Sequence, residues 1–149
     1  MTTAPAARLP RSVLAELVAW ARVGYPNESC GILAGSRPHA GGGAATRFFP
    51  LSNAHASPYR YLIDPMEQYR TLMAIEDAAE ALWGVFHSHV ASPAEPSPTD
   101  IGQAAFPDGP STFPGVLYLI CSLADAEKPV VRAWIIEGGS AQEVPLLVE

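Results

Sequence analysis

The feature that most constrains this chain is an apolar run, Trp83-Gly84-Val85-Phe86, that ends in His87-Ser88-His89. A short apolar run of this kind reads as a buried strand. Residues two apart in a strand point to one face. His87 and His89 therefore leave the strand on the same side and can reach one metal ion. Ser88 points to the opposite face and holds the strand end in place. Asp100 follows eleven residues after His89, with Ser97 three residues before it. Two imidazole nitrogens and a carboxylate oxygen, with a fourth position open to water, are the donor set of a catalytic zinc. At this chain's residue frequencies, His-x-His-x7-Ser-x2-Asp arises by chance in on the order of one chain in a few thousand.

The rest of the chain alternates helices and strands. Pro10 followed by Val13, Leu14, Leu17, Val18 and Ala21 has helical spacing, closed by Gly24 and Pro26. Cys30 to Ala34 is a short buried strand that stops at Gly35. Thr46 to Leu51 and Tyr59 to Ile63 read as two more, joined by the polar link Ser52 to Pro58. Asp64 as cap, Pro65 in the first turn and Glu67 at the capping-box position start a second helix. It reads to about Leu82, with Met66, Tyr69, Leu72, Met73 and Ile75 at its apolar positions. Three prolines between 90 and 98 make a loop, and a short helix starts near Ser97 or Thr99. Val116 to Leu123, Val130 to Glu137 and Val144 to Val148 read as strands. Strands outnumber helices and the helices are dispersed among them. The fold class is α/β or α+β, one mostly mixed sheet with helices packed on it.

Bulk properties narrow the partners. With 149 residues, 48% of them apolar, the chain reads as one domain spanning 1–149 with a real core. A net charge of −6, only nine Lys and Arg, and no basic cluster argue against a nucleic-acid partner. Met1 to Arg11 hold no apolar leader segment, and no run approaches the roughly 18 apolar residues of a membrane span. Cys30 and Cys121 lie in apolar strand-like runs and read as buried thiols rather than a disulfide. Together these point to the cytoplasm and away from a membrane. Gly41-Gly42-Gly43 reads as a mobile loop.

A hydrolytic zinc site also needs a proton carrier that is not a ligand. Glu28 is the best candidate, because it stands just before the buried strand, between Asn27 and Ser29-Cys30-Gly31. Nothing in the sequence alone places it near His87. The Ser97 hydroxyl can donate to the oxyanion of a tetrahedral intermediate, cap the short helix that carries Asp100, or do both. His39 and His55 sit in loops away from this pattern. Tyr59, Tyr61, Trp83 and Trp134 read as core or sheet-surface aromatics, and Glu95 as a solvated acid.

Taken together, Glu28, His87-Ser88-His89, Ser97 and Asp100 resemble the signature of the JAMM (MPN+) metalloprotease family. That signature is a glutamate, then much later His-Ser/Thr-His, seven residues, Ser, two residues, Asp, and the spacing is matched at every step. The segments Glu28 to Gly35, Asn53 to Pro65 with the following helix, and Trp83 to Asp100 resemble the small bacterial members. The resemblance implies a curved mixed sheet flanked by helices, cytidine-deaminase-like, with zinc on His87, His89 and Asp100. It implies Glu28 as general acid/base and Ser97 as oxyanion donor. The implied substrate is a ubiquitin-like or sulfur-carrier protein cut after its C-terminal Gly-Gly. We expect that tail to lie as an added strand beside the site. A proline commonly follows the second histidine, and here Val90 stands in its place. Only fifteen residues separate Asp100 from Val116, which leaves little room for an insertion and favours a small leaving group. The rival reading is a non-catalytic MPN-type module that binds a partner. A nucleoside deaminase fits poorly, since its histidine is followed two residues later by glutamate and its cysteines are paired downstream.

Overall fold

The computed structural model describes residues 5–104, 113 and 115–149. The strands are β1 (Ala7–Leu9), β2 (Cys30–Gly35), β3 (Ala45–Leu51), β4 (Ala81–His89), β5 (Leu117–Ser122), β6 (Val130–Glu137), β7 (Ser140–Val144) and β8 (Leu146–Val148). The helices are α1 (Arg11–Gly24), α2 (Pro65–Asp77) and α3 (Pro98–Ala104). Six strands form one sheet in the order β3-β2-β4-β5-β6-β7, with β4 and β5 parallel and every other neighbouring pair antiparallel. The fold is therefore mixed α+β, as the dispersed helices require. The parallel pair needs a crossover, and α3 lies on that crossover.

Each face of the sheet is covered. Val13, Leu17 and Ala21 of α1 pack with Leu33, Phe48, Trp83, Phe86, Leu117 and Leu119. The opposite face holds Cys30, Ile32, Val85 and Ile120 under Ile75 of α2 and Ala104 of α3. A register shift opposite Leu33/Ala34 inserts one extra residue into β4. That bulge turns Trp83 to the α1 face while Val85, two residues on, lies on the other. From there the alternation is regular, and it sends His87 and His89 to the α2/α3 side. Gly31 is required by packing: a Cβ there would come within 2.4 Å of the Phe48 ring.

Several sequence expectations need correction. Tyr59 to Ile63 is not a strand; one isolated bridge, Asn53 to Ile63, is all the pairing it makes. The Asn53 side chain takes up the backbone of this segment instead, accepting from Leu62 N–H and donating to the Arg60 carbonyl. α2 ends at Asp77 rather than near Leu82, because Ala79 takes a positive φ of 56° and the chain turns into β4. The face it buries carries Thr71 and Ile75, four residues apart, while Met66, Tyr69 and Met73 are exposed. β1 falls where no strand was expected and pairs in parallel with β8, tying the two ends together. The expected Val144 to Val148 strand is two strands, β7 and β8. The glycine triplet is a compact turn: Gly43 N–H donates to the Pro38 carbonyl and its own carbonyl accepts from Trp83 Nε1 at 2.8 Å. Residues 1–4 of the segment searched for a leader, and most of the short stretch between Asp100 and Val116, lie outside the described residues. No helix among the described residues is long and apolar enough to cross a membrane.

Candidate active site

The site forms where β4 leaves the sheet. Antiparallel pairing of β2 with β4 sets Cys30 opposite His87. Two bonds extend that register: the Ser88 N–H donates to the Ser29 carbonyl at 2.9 Å, and Ser88 Oγ accepts from the Ser29 N–H at 2.7 Å. Ser88 is thus the clasp between the two strand ends. Carried on by two residues, the same register brings Glu28 alongside His89. A second clasp fixes Glu28 from the other side: its N–H donates to the Ser57 carbonyl and its carbonyl accepts from Asn53 Nδ2 at 3.0 Å.

Asp100 arrives from α3. Ser97 caps that helix, its Oγ accepting from the Asp100 N–H at 3.0 Å while Asp100 Oδ2 accepts from the Ser97 N–H at 2.9 Å. This is a reciprocal capping box with aspartate in the third position. It leaves the Ser97 hydroxyl hydrogen free to donate elsewhere.

His87, His89 and Asp100 are all buried. The two Nε2 atoms lie 3.1 Å apart, and 3.1 and 3.0 Å from Asp100 Oδ2. A tetrahedral ion with bonds of about 2.0–2.1 Å would hold its donors about 3.3–3.4 Å apart, so the three atoms accept one with a small outward shift. His89 Nδ1 donates to the Pro93 carbonyl at 2.7 Å, which leaves its Nε2 lone pair facing the cluster. Among the described residues this is the one group of three His, Cys, Asp or Glu side chains that can share a metal ion. The donor set fits such an ion by distance and burial, and at His89 also by tautomer. His39 and His55 take no part. His39 is buried edge-on to Trp83, and His55 lies on an exposed loop.

Electrostatics separate the two acids. Burial works to raise the Asp100 carboxyl, but hydrogen bonds to His87 and His89, their charge and the Ser97 N–H together hold it well below the usual carboxylate range. Glu28 is pushed up to about 7, chiefly by burial; His89 opposes the rise and Asp100 adds to it. Among the described residues its Oε1 is buried without a hydrogen-bond partner. A buried polar atom left unbonded is costly, and this oxygen is free to serve a group that enters the site. Burial lowers His87, against the pull of Asp100. For His89, burial is outweighed by its bonds to Asp100 and the Pro93 carbonyl, and the net direction is upward.

Glu28, His89 and Ser97 open into one cleft of about 380 Å³, walled by Pro26, Pro58, Tyr59, Val90 and Ala91. The structure therefore gathers all five residues singled out in the sequence. Among the described residues it does not set the site on an edge of the six-stranded sheet. β4 is an inner strand paired on both sides, and the edges of the six-stranded sheet are β3 and β7, which hold none of the five. Glu95 is exposed, as expected, and pairs at the surface with Arg132 at 3.0 Å. Three contributors escaped the sequence reading: Asn53, which fastens the Glu28 backbone; Tyr59, which lines the cleft; and Tyr61, whose ring stacks on His87. The only local signal was the Asx-turn character of Asn53 before a polar loop.

Comparison with known proteins places this arrangement. Residues 10–137 match the family of prokaryotic homologs of the JAB domain. The chain is 36% identical over 132 residues to the CysO-cysteine peptidase of Mycobacterium tuberculosis, covering 89% of this chain and 84% of that protein. It is 38% identical over 141 residues to the probable TtuB-protein conjugate cleaving protease of Thermus thermophilus, covering 94% and 81%. Among solved structures, a protein from Desulfitobacterium hafniense superposes with a TM-score of 0.81 at 33% identity, over 95% of this chain and 92% of that one. A JAB1/MPN domain protein from Archaeoglobus fulgidus shares the fold at a TM-score of 0.59 and 17% identity, over 97% of each.

Proposed function

The chain belongs to the prokaryotic homologs of the JAB domain and is a JAMM-type hydrolase, and from that premise we propose its reaction: zinc-dependent cleavage of the amide bond after the C-terminal Gly-Gly of a ubiquitin-like or sulfur-carrier protein. The observation that carries the reading is the convergence of His87 Nε2, His89 Nε2 and Asp100 Oδ2 beside a buried, unbonded Glu28 carboxylate. Relatives named for cleaving CysO-cysteine and TtuB conjugates support the substrate class.

In this reading His87, His89 and Asp100 hold the ion. When bound, the zinc supplies a water of pKa about 7 and polarises the scissile carbonyl. Glu28 takes the proton from the attacking water and returns it to the leaving nitrogen. A carboxylate that stands beside the ion without being one of its ligands can do both. The Ser97 hydroxyl donates to the developing oxyanion. Atoms balance as a simple hydrolysis: carrier-Gly-Gly-NH-R, in which the amide carbonyl is that of the last glycine, and water give the carrier carboxylic acid and the amine R-NH2. The cleft is walled by Pro26, Pro58 and Val90, and we expect residues without side chains to fit best next to the scissile bond.

The deciding experiment incubates zinc-loaded protein with carriers bearing cysteine, a short peptide or a lysine-linked protein after Gly-Gly, followed by intact mass spectrometry. Loss of one adduct's mass, with gain of water, identifies the leaving group. Binding without any cleavage would favour the non-catalytic module instead. With the cleaved carrier in hand, changing its penultimate glycine to valine is expected to slow turnover strongly, and equal rates would rule out a narrow groove.

Ser97→Ala separates two roles. Loss of the cap is expected to cost about 1 kcal/mol of stability in urea denaturation of the metal-free protein. Loss of an oxyanion donor removes about 3 kcal/mol of transition-state stabilisation, seen in kcat more than in KM. A lower stability with unchanged kcat would leave Ser97 as a cap alone.

A further inference from the structure

The two imidazoles of the site are oriented by different means. His89 is tied through Nδ1 to the Pro93 carbonyl, as metal-binding histidines ordinarily are at their second nitrogen. His87 is not. Its Nδ1 is buried and has no hydrogen-bond partner among the described residues. The terminal torsion of a histidine is broad, so an imidazole without that bond needs something else to hold its plane. What lies against it is Tyr61, with ring centroids 4.4 Å apart and planes 18° from parallel.

We propose that Tyr61 is a positioning residue of the metal site, whose ring face sets the plane of His87 in place of the missing hydrogen bond. The inference rests on His87 being a ligand. Tyr61 is suited to the task because its neighbours are fastened. Asn53 donates to the Arg60 carbonyl and accepts from the Leu62 N–H, the Leu62 carbonyl accepts from the Ala54 N–H, and Ile63 is buried in the bridge to Asn53. The same Asn53 binds the Glu28 carbonyl at 3.0 Å. One side chain thus sets both the support of a ligand and the backbone of the proton carrier. On its other contacts Tyr61 lines a cavity of about 290 Å³ together with Val85, Gln68 and Gln103. Removing the ring would enlarge that space beside His87 and let the imidazole turn. The flat face does the holding, so phenylalanine should serve and a flexible chain of similar bulk should not.

The test compares the parent with Tyr61→Phe and Tyr61→Met by zinc competition against a chromophoric chelator and by the visible spectrum of the cobalt(II) form. Tyr61→Phe is expected to bind within about two-fold of the parent, and Tyr61→Met about ten- to a hundred-fold more weakly, with a shifted cobalt band. In the metal-free parent and Tyr61→Phe, the His87 ring protons should resonate upfield under the ring current, and should lose that displacement in Tyr61→Met. Parental affinity in Tyr61→Met, or equal loss in Tyr61→Phe, overturns the proposal. Should Tyr61→Met fail to fold, the parent spectrum decides: His87 protons without upfield displacement overturn it. A parent that binds no metal refutes the site itself, whereas a binding parent with an equally binding Tyr61→Met refutes only the role of Tyr61.

Discussion

Glu28→Gln is expected to keep the metal and lose turnover by on the order of a hundred- to ten-thousand-fold, the range for removing one general acid/base. Glutamine preserves the shape of the side chain and the backbone bonds to Ser57 and Asn53. What it removes is the ability to accept and return a proton. The three atoms proposed to bind the metal come from β4 and α3, so Glu28→Gln is expected to leave their arrangement in place. Zinc content by elemental analysis and turnover by mass spectrometry should therefore part company in this variant. Parental turnover would remove Glu28 from the chemistry, and zinc lost together with turnover would make it a ligand. The metal-free protein offers a check on stability. The Glu28 carboxyl is raised on folding, mainly by burial. A raised carboxyl favours the folded state at acid pH and disfavours it once ionised. Glu28→Gln should thus leave stability near pH 4 almost unchanged and raise it as the pH rises through about 7.

The clustering of His87, His89 and Asp100 was legible because it is local. A strand alternates strictly, so Phe86-His87-Ser88-His89 fixes which residues share a face, and Ser97 to Asp100 fits a helix start by the same short-range logic. The placement of Glu28 was not legible, because it depends on a register between β2 and β4 that no pattern within either strand encodes. Tyr61 was hidden for a related reason. Tyr59 to Ile63 has the composition of a strand, but Asn53 claims its backbone and presents the ring to His87 instead. The end of α2 was misjudged because Ala78, Ala79 and Ala81 favour helix while the sheet demands that β4 begin at Ala81. Tertiary pairing overrides propensity there. The β1–β8 pair joins three-residue strands from opposite ends of the chain, a contact that short-range patterns do not encode.

The parent is expected to bind one zinc per chain, and a His87→Ala/His89→Ala double variant none. The two Nε2 atoms are two of the three donors, and a single carboxylate oxygen cannot replace their geometry. Asp100→Asn should be nearly as damaging. It keeps an acceptor for the Ser97 N–H but removes the one carboxylate of the proposed ligand set, whose ionised form the histidines and Ser97 favour. The loss has a thermodynamic signature independent of activity. A ligand that binds only the folded state stabilises it by about 2.7 kcal/mol at a hundred times its dissociation constant. Excess zinc should raise the melting temperature of the parent by several degrees and leave the double variant where it was. Turnover should follow the same division: abolished in the parent by a chelator, restored by zinc, and restored by nothing in the double variant. Elemental analysis gives the decisive reading, because a double variant that still carries one zinc per chain would mean that the ion is bound somewhere other than the end of β4.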